Sequence, residues 1–134
     1  MPNSEPRDAP AAAEPTPLLD VSALEAALER FTHERDWAQF HSPKNLAMAL
    51  TGEVGELVEL FQWVSEADSH RLGHDPRTSR AVRDELADVT VYLVRLAAVL
   101  GVDLDQAVRQ KLAANALKYP VEHARGRSAK YTEF

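Results

Sequence analysis

Two carboxylate pairs, Glu53 with Glu56 and Glu85 with Asp88, recur at the one-turn spacing of an α-helix. Pairs like these either sit in solvent as surface charge or converge on a cation that neutralises them. Which holds depends on the face each residue occupies. Advancing about 100° per residue from Leu46, Leu50, Leu57, Leu60, Phe61 and Val64 share one apolar stripe. Glu53 falls in its middle and Glu56 on its edge, one turn away. Glu59 and Glu66 point elsewhere, as solvated charges do. In the next helix Val82, Leu86, Val89, Leu93, Leu96 and Leu100 form the expected core arc, with Val91 and Val94 facing away from it. Glu85 lies beside that arc, Asp88 borders it, and Tyr92 follows on the same edge. A buried carboxylate without a partner protonates rather than stay charged, so four converging ones need a cation. Oxygen donors without an accompanying histidine favour Mg²⁺, or Mn²⁺, over zinc and iron. The Glu-x-x-His pairs of ferritin-like di-iron bundles are absent from the sequence.

Other residues are placed to meet a ligand of that cation. Gly52 and Gly55 flank Glu53 inside a helix, where each costs about 1 kcal/mol relative to alanine, and they leave room for a ligand or a second subunit. Asn45 shares a helix edge with Glu56 and Trp63 and suits a pocket donor. On the last long helix Asn115 falls on the face of Leu104, Val108 and Leu112, while Lys111 and Lys118 flank that face; Lys118 is the better placed to meet phosphates. His41, His70, His74 and His123 lie in loops without metal-ligand spacing and receive no role. The basic residues Arg125, Arg127 and Lys130 belong to a solvated tail. Spacing does not distinguish metal ligand from general base among the carboxylates; Glu53, deepest in its stripe, is the candidate base.

Helices must carry all of this. Periodicity predicts one over residues 22–37, a second from Pro43, capped by Ser42, to about residue 65, and a third over 79–100 stopped by Gly101. A fourth is capped by Asp103 and ends before Pro120. Between the second and third lies a loop holding Gly73 and Pro76. The expected class is all-α, a four-helix bundle over residues 18–120. Residues 1–17, with Pro2, Pro6, Pro10, Pro15 and Pro17 and little to bury, are expected to be a disordered tail, and residues 121–134 a C-terminal tail.

Composition narrows the function. The chain has 134 residues, 15 Lys+Arg against 21 Asp+Glu, and a net charge of −6, which disfavours nucleic acid as a partner. No cysteine is present, so thiolate metal sites and cysteine nucleophiles are excluded. The most apolar stretch, residues 86–100, contains Asp88 and Arg95 and is no membrane span. A cytoplasmic domain without membrane partners is expected. The residues alone leave three functions open: a nucleotide hydrolase, a metal-dependent enzyme acting on another phosphorylated metabolite, and a non-catalytic helical interaction module.

The two carboxylate pairs, in their order and setting, resemble the metal signature of the all-α nucleoside triphosphate pyrophosphatases, the MazG-like superfamily. Residues 34–41, 43–46, 52–63, 84–94 and 130–133 resemble its dCTP pyrophosphatase branch, and the similarity extends over residues 24–134. The resemblance implies Mg²⁺-dependent hydrolysis of a nucleoside triphosphate between its α- and β-phosphates. It makes Glu53, Glu56, Glu85 and Asp88 the metal ligands and Trp37, Trp63 and Tyr92 the base-stacking and pocket aromatics. A pocket histidine of the family's first helix is matched here by Leu28. The resemblance also implies a homotetramer, a dimer of dimers with pockets shared between chains.

Overall fold

In the computed structural model, residues 16–133 are described, and among them every regular element is helical. The long helices are α1 (Ser22–Glu34), α2 (Pro43–Glu59), α4 (Ser79–Leu100) and α5 (Leu104–Lys118); the short α3 (Glu66–Ser69) and α6 (Val121–Ala124) make six, with 3₁₀ turns at Ala38–Phe40 and Tyr131–Glu133.

Local chemistry sets most of the boundaries. Ser42 caps α2 by accepting from the Asn45 amide at 3.2 Å, and Pro43 occupies the first turn, where no intrahelical donor is needed. Ser65 caps α3 in the same way, turning the expected loop into a helical corner. Asp103 caps α5 through the Gln106 amide at 3.0 Å. Gly101 ends α4 at φ +67°, a left-handed conformation that costs glycine nothing. α1 stops at Glu34, short of residue 37, because Asp36 turns left-handed (φ 53°) and brings the Trp37 amide back to the Thr32 carbonyl at 3.0 Å.

α2 packs along α4, and α1 crosses α4 more lightly. The buried apolar residues among those described are Leu46, Val82, Val94 and Ala97, joined by Thr32 and Arg95. This inverts part of the expectation for α4. Val94 is buried and Val91 half-buried, whereas Leu86, Leu93 and Leu100 of the expected core arc are exposed. α4 is apolar around most of its circumference, and the single chain covers Val82, Val94 and Ala97 while leaving Leu86, Leu93 and Leu100 outside. α5 packs extensively on no other helix, and Leu112 and Leu117 are exposed. One chain therefore does not close a four-helix bundle.

At the N-terminal end, the Leu18 and Leu19 amides donate to Asp105 Oδ1 of α5 at 2.7 and 3.0 Å, and Arg109 donates to the Thr16 carbonyl. The rest of the proline-rich segment lies outside the described residues. At the other end, Tyr131 meets Tyr119 edge-on at 5.9 Å, laying the C-terminal segment against the end of α5.

Candidate functional site

α2 and α4, packed side by side, bring three of the four carboxylates together. Glu53, Glu56 and Glu85 each offer an oxygen, and these oxygens lie within 4.8 Å of one another. Glu53 and Glu85 are half-buried and Glu56 is exposed. Glu53 Oε2 and Glu85 Oε2 are shielded from solvent and have no hydrogen-bond partner. Desolvation pushes the Glu53 carboxyl above its ordinary pKa, helped by Glu56 and by the charges of Asp88 and Glu85. Desolvation also raises Glu85, followed by the charges of Glu56 and Asp88.

This arrangement fits a hard cation. Two unpartnered oxygens and a third carboxylate in reach are an incomplete ligand set of one donor type. Asp88 is exposed and stands outside the three-oxygen group, although its charge bears on Glu53 and Glu85. Gly52 and Gly55 face open space: a Cβ added at either would meet nothing within 4 Å, so no helix of this chain explains them by close packing.

Between α1 and α4, with Val91 and Tyr92 one helical turn beyond Asp88 on its wall, lies a mostly apolar pocket of about 250 Å³. Trp37 and Tyr92 both line it, and so does Leu28. Trp37 is held edge-on to Phe31 at 5.7 Å, and Arg35 covers the other ring at 3.6 Å from the Phe31 centroid. Trp63 is elsewhere. It is 90% exposed and lines a separate groove with Asp68, Arg71 and Arg77.

The remaining candidates do not converge on the carboxylates within one chain. Asn45 spends its side-chain amide on the Phe40 carbonyl at 3.1 Å, bracing the turn that carries Trp37 and His41, rather than facing a pocket as expected. Asn115 is half-buried on α5, and Lys118 places its ammonium 5.2 Å from the Tyr131 ring centroid. Among the described residues α5 packs closely on neither α2 nor α4, so helix packing does not draw these two toward Glu53.

Sequence reasoning missed Thr32, His41 and Arg95, all of which line the aromatic pocket. Arg95 donates from Nε to His41 Nδ1 at 3.3 Å and from Nη1 to Glu29 Oε2 at 2.5 Å. An arginine inside the most apolar stretch of the chain was the available signal. Its partners lie far off in sequence and leave no local motif.

Comparison with known proteins finds relatives along most of the chain. The MazG-like family pattern matches residues 49–134. The chain is 51% identical over 120 residues to dCTP pyrophosphatase 1 of Homo sapiens, covering 90% of this chain and 68% of that protein. Against dCTP pyrophosphatase 1 of Rattus norvegicus the identity is 50% over the same length, with the same coverage. Among solved structures, a pyrophosphatase from Archaeoglobus fulgidus superposes with a TM-score of 0.69 at 37% identity, covering 73% of this chain and 90% of that one.

Proposed function

The chain belongs to the MazG-like family, and on that premise we propose that it is a Mg²⁺-dependent nucleoside triphosphate pyrophosphohydrolase acting on dCTP and modified cytosine deoxynucleotides. Its role is to clear such nucleotides from the cytoplasmic pool. The observation that carries this reading is the pair of shielded, unpartnered oxygens on Glu53 and Glu85 with Glu56 in reach; a pocket lined by Trp37 and by Tyr92, on the same helix as Glu85, supports it.

In the reaction a water oxygen attacks the α-phosphorus, and the bond from that phosphorus to the α,β-bridging oxygen breaks. The products are a nucleoside monophosphate and pyrophosphate, with one proton released. Glu53, Glu56 and Glu85, with Asp88 nearby, would hold the cation, for which Mn²⁺ could replace Mg²⁺. When bound, Mg²⁺ offsets the negative charge of the phosphates and polarises the α-phosphoryl group. Glu53 Oε2, which has no competing hydrogen bond, takes the proton of the attacking water. Trp37 and Tyr92 hold the base, and Asn45 fixes the turn from which Trp37 projects.

The exposed leucines of α4 and the loosely packed α5 support a homo-oligomer, a tetramer built as a dimer of dimers. In that assembly a second copy completes the helical bundle and brings Trp63, Asn115 and Lys118 to the substrate. A screen of deoxy- and ribonucleoside triphosphates with Mg²⁺, quantifying pyrophosphate and orthophosphate separately, tests the proposal. Release of orthophosphate alone, or no release from any of them, would refute it.

A further inference from the structure

Arg95 occupies an inward position on α4, between Val94 and Ala97, with its side chain only 9% exposed. A methionine or leucine would pack there without desolvating a charge. Its two bonds suggest why a guanidinium is present. Glu29 of α1, itself in solvent, anchors Nη1, and Nε donates to His41 Nδ1. An imidazole that accepts at Nδ1 is neutral and carries its proton on Nε2, leaving that N–H for a ligand. Burial, and after it the charge of Arg95, holds the His41 pKa below its ordinary value, which keeps the ring in this neutral form. His41 lines the same pocket as Trp37, its ring 6.5 Å from the indole. A base against Trp37 would thus present its edge to a wall whose imidazole offers a donor in an otherwise largely apolar surround.

We propose that His41 selects the base: an Nε2–H donor, fixed in that tautomer by Arg95 and Glu29, pairs with the N3 acceptor of cytosine. Uracil and thymine carry a hydrogen on N3. Against them donor faces donor, and two N–H groups are left unpaired away from water, which is the costly case for a polar site. Arg95 and Glu29 are positioning residues, acting through His41. The inference rests on the nucleotide reading above and adds to it the group that discriminates between pyrimidines.

The test uses the full chain with Mg²⁺. In the wild type, imidazole ¹⁵N NMR should show His41 with a protonated Nε2 and a bare Nδ1, and Arg95→Met should mix the tautomers. The ratio of kcat/KM for dCTP over dUTP should fall about tenfold in Arg95→Met and in His41→Phe, the loss of one buried hydrogen bond. The effect should be carried more by KM for dCTP than by kcat. His41→Gln, whose amide N–H reaches the Nε2 position, should retain most of the preference. Glu29→Gln, at an exposed position, should lower the ratio in the same direction, so a folding failure of Arg95→Met does not spare the proposal. A wild type that protonates His41 at Nδ1, or folded His41→Phe and Glu29→Gln variants with the wild-type ratio, would overturn it while leaving pyrophosphate release intact. A wild type that releases pyrophosphate from no nucleotide would instead overturn the reading beneath it.

Discussion

Glu53→Gln should make the metal-free protein more stable and the enzyme inactive. Carboxylate oxygens of Glu53, Glu56 and Glu85 lie within 4.8 Å of one another. Two unit charges at that separation repel by about 0.9 kcal/mol in bulk water and about 3.5 kcal/mol at an effective dielectric of 20. Glu56 is exposed, so solvent screening places the real value near the lower limit. Protonation of Glu53, whose pKa is raised, relieves part of the strain further. Neutralising Glu53 should therefore stabilise the EDTA-treated protein by about 1 kcal/mol, a rise in Tm of about 4 °C for a chain of this length. Added Mg²⁺ should raise the wild-type Tm in proportion to saturation and leave the variant almost unmoved. Differential scanning fluorimetry with and without Mg²⁺, beside a pyrophosphate-release assay, reads all three effects. A metal-free variant that melts below the wild type would refute the electrostatic reasoning. A variant that keeps both its Mg²⁺ shift and its turnover would refute the metal assignment.

Three further outcomes follow from the same structure. The raised carboxyls of Glu53 and Glu85 bind protons in the folded chain at pH values where the unfolded chain, titrating near 4.5, has released them. Their contribution to metal-free stability should therefore rise on acidification from neutrality toward about pH 4.5, against an opposite contribution from His41, whose pKa is lowered. Glu53→Gln/Glu85→Gln should remove the carboxyl contribution in pH-dependent melts, and a double variant whose pH profile parallels the wild type would contradict the cluster. Trp37→Ala and Trp63→Ala should raise KM for dCTP more than they lower kcat, since stacking supplies uniform binding; steady-state kinetics showing a pure kcat loss would count against a stacking role. Leu93→Glu, on the exposed leucine stripe of α4, should dissociate the oligomer and lower activity, as followed by light scattering; an active wild-type monomer would remove the shared-pocket idea.

The elements that local chemistry punctuates were legible in the sequence. Ser42-Pro43, Gly101 and Asp103 mark helix ends through their own side chains or missing side chains, and the structure places boundaries there. The inward lean of Glu53 and Glu85 was visible for a similar reason, because a charge inside an apolar stripe contradicts periodicity. The inner face of α4 was not legible. With apolar residues on both sides, periodicity offers two stripes of equal standing, and only tertiary packing against α1 and α2 chooses Val94 and Ala97 over Leu86 and Leu93. Asn45 looked like a pocket donor because its commitment to the Phe40 carbonyl depends on a 3₁₀ turn that no motif announces. The Glu29–Arg95–His41 relay joins three elements through contacts 54 and 66 residues apart in the chain, and such contacts leave no spacing to read.

Hydrolysis of dCTP by the wild type in ¹⁸O-labelled water, with Mg²⁺ present and products resolved by mass spectrometry, tests the central claim most directly. Attack at the α-phosphorus predicts one labelled oxygen in dCMP, unlabelled pyrophosphate in equal amount, and no orthophosphate. Label in pyrophosphate, or dCDP with orthophosphate, would contradict it.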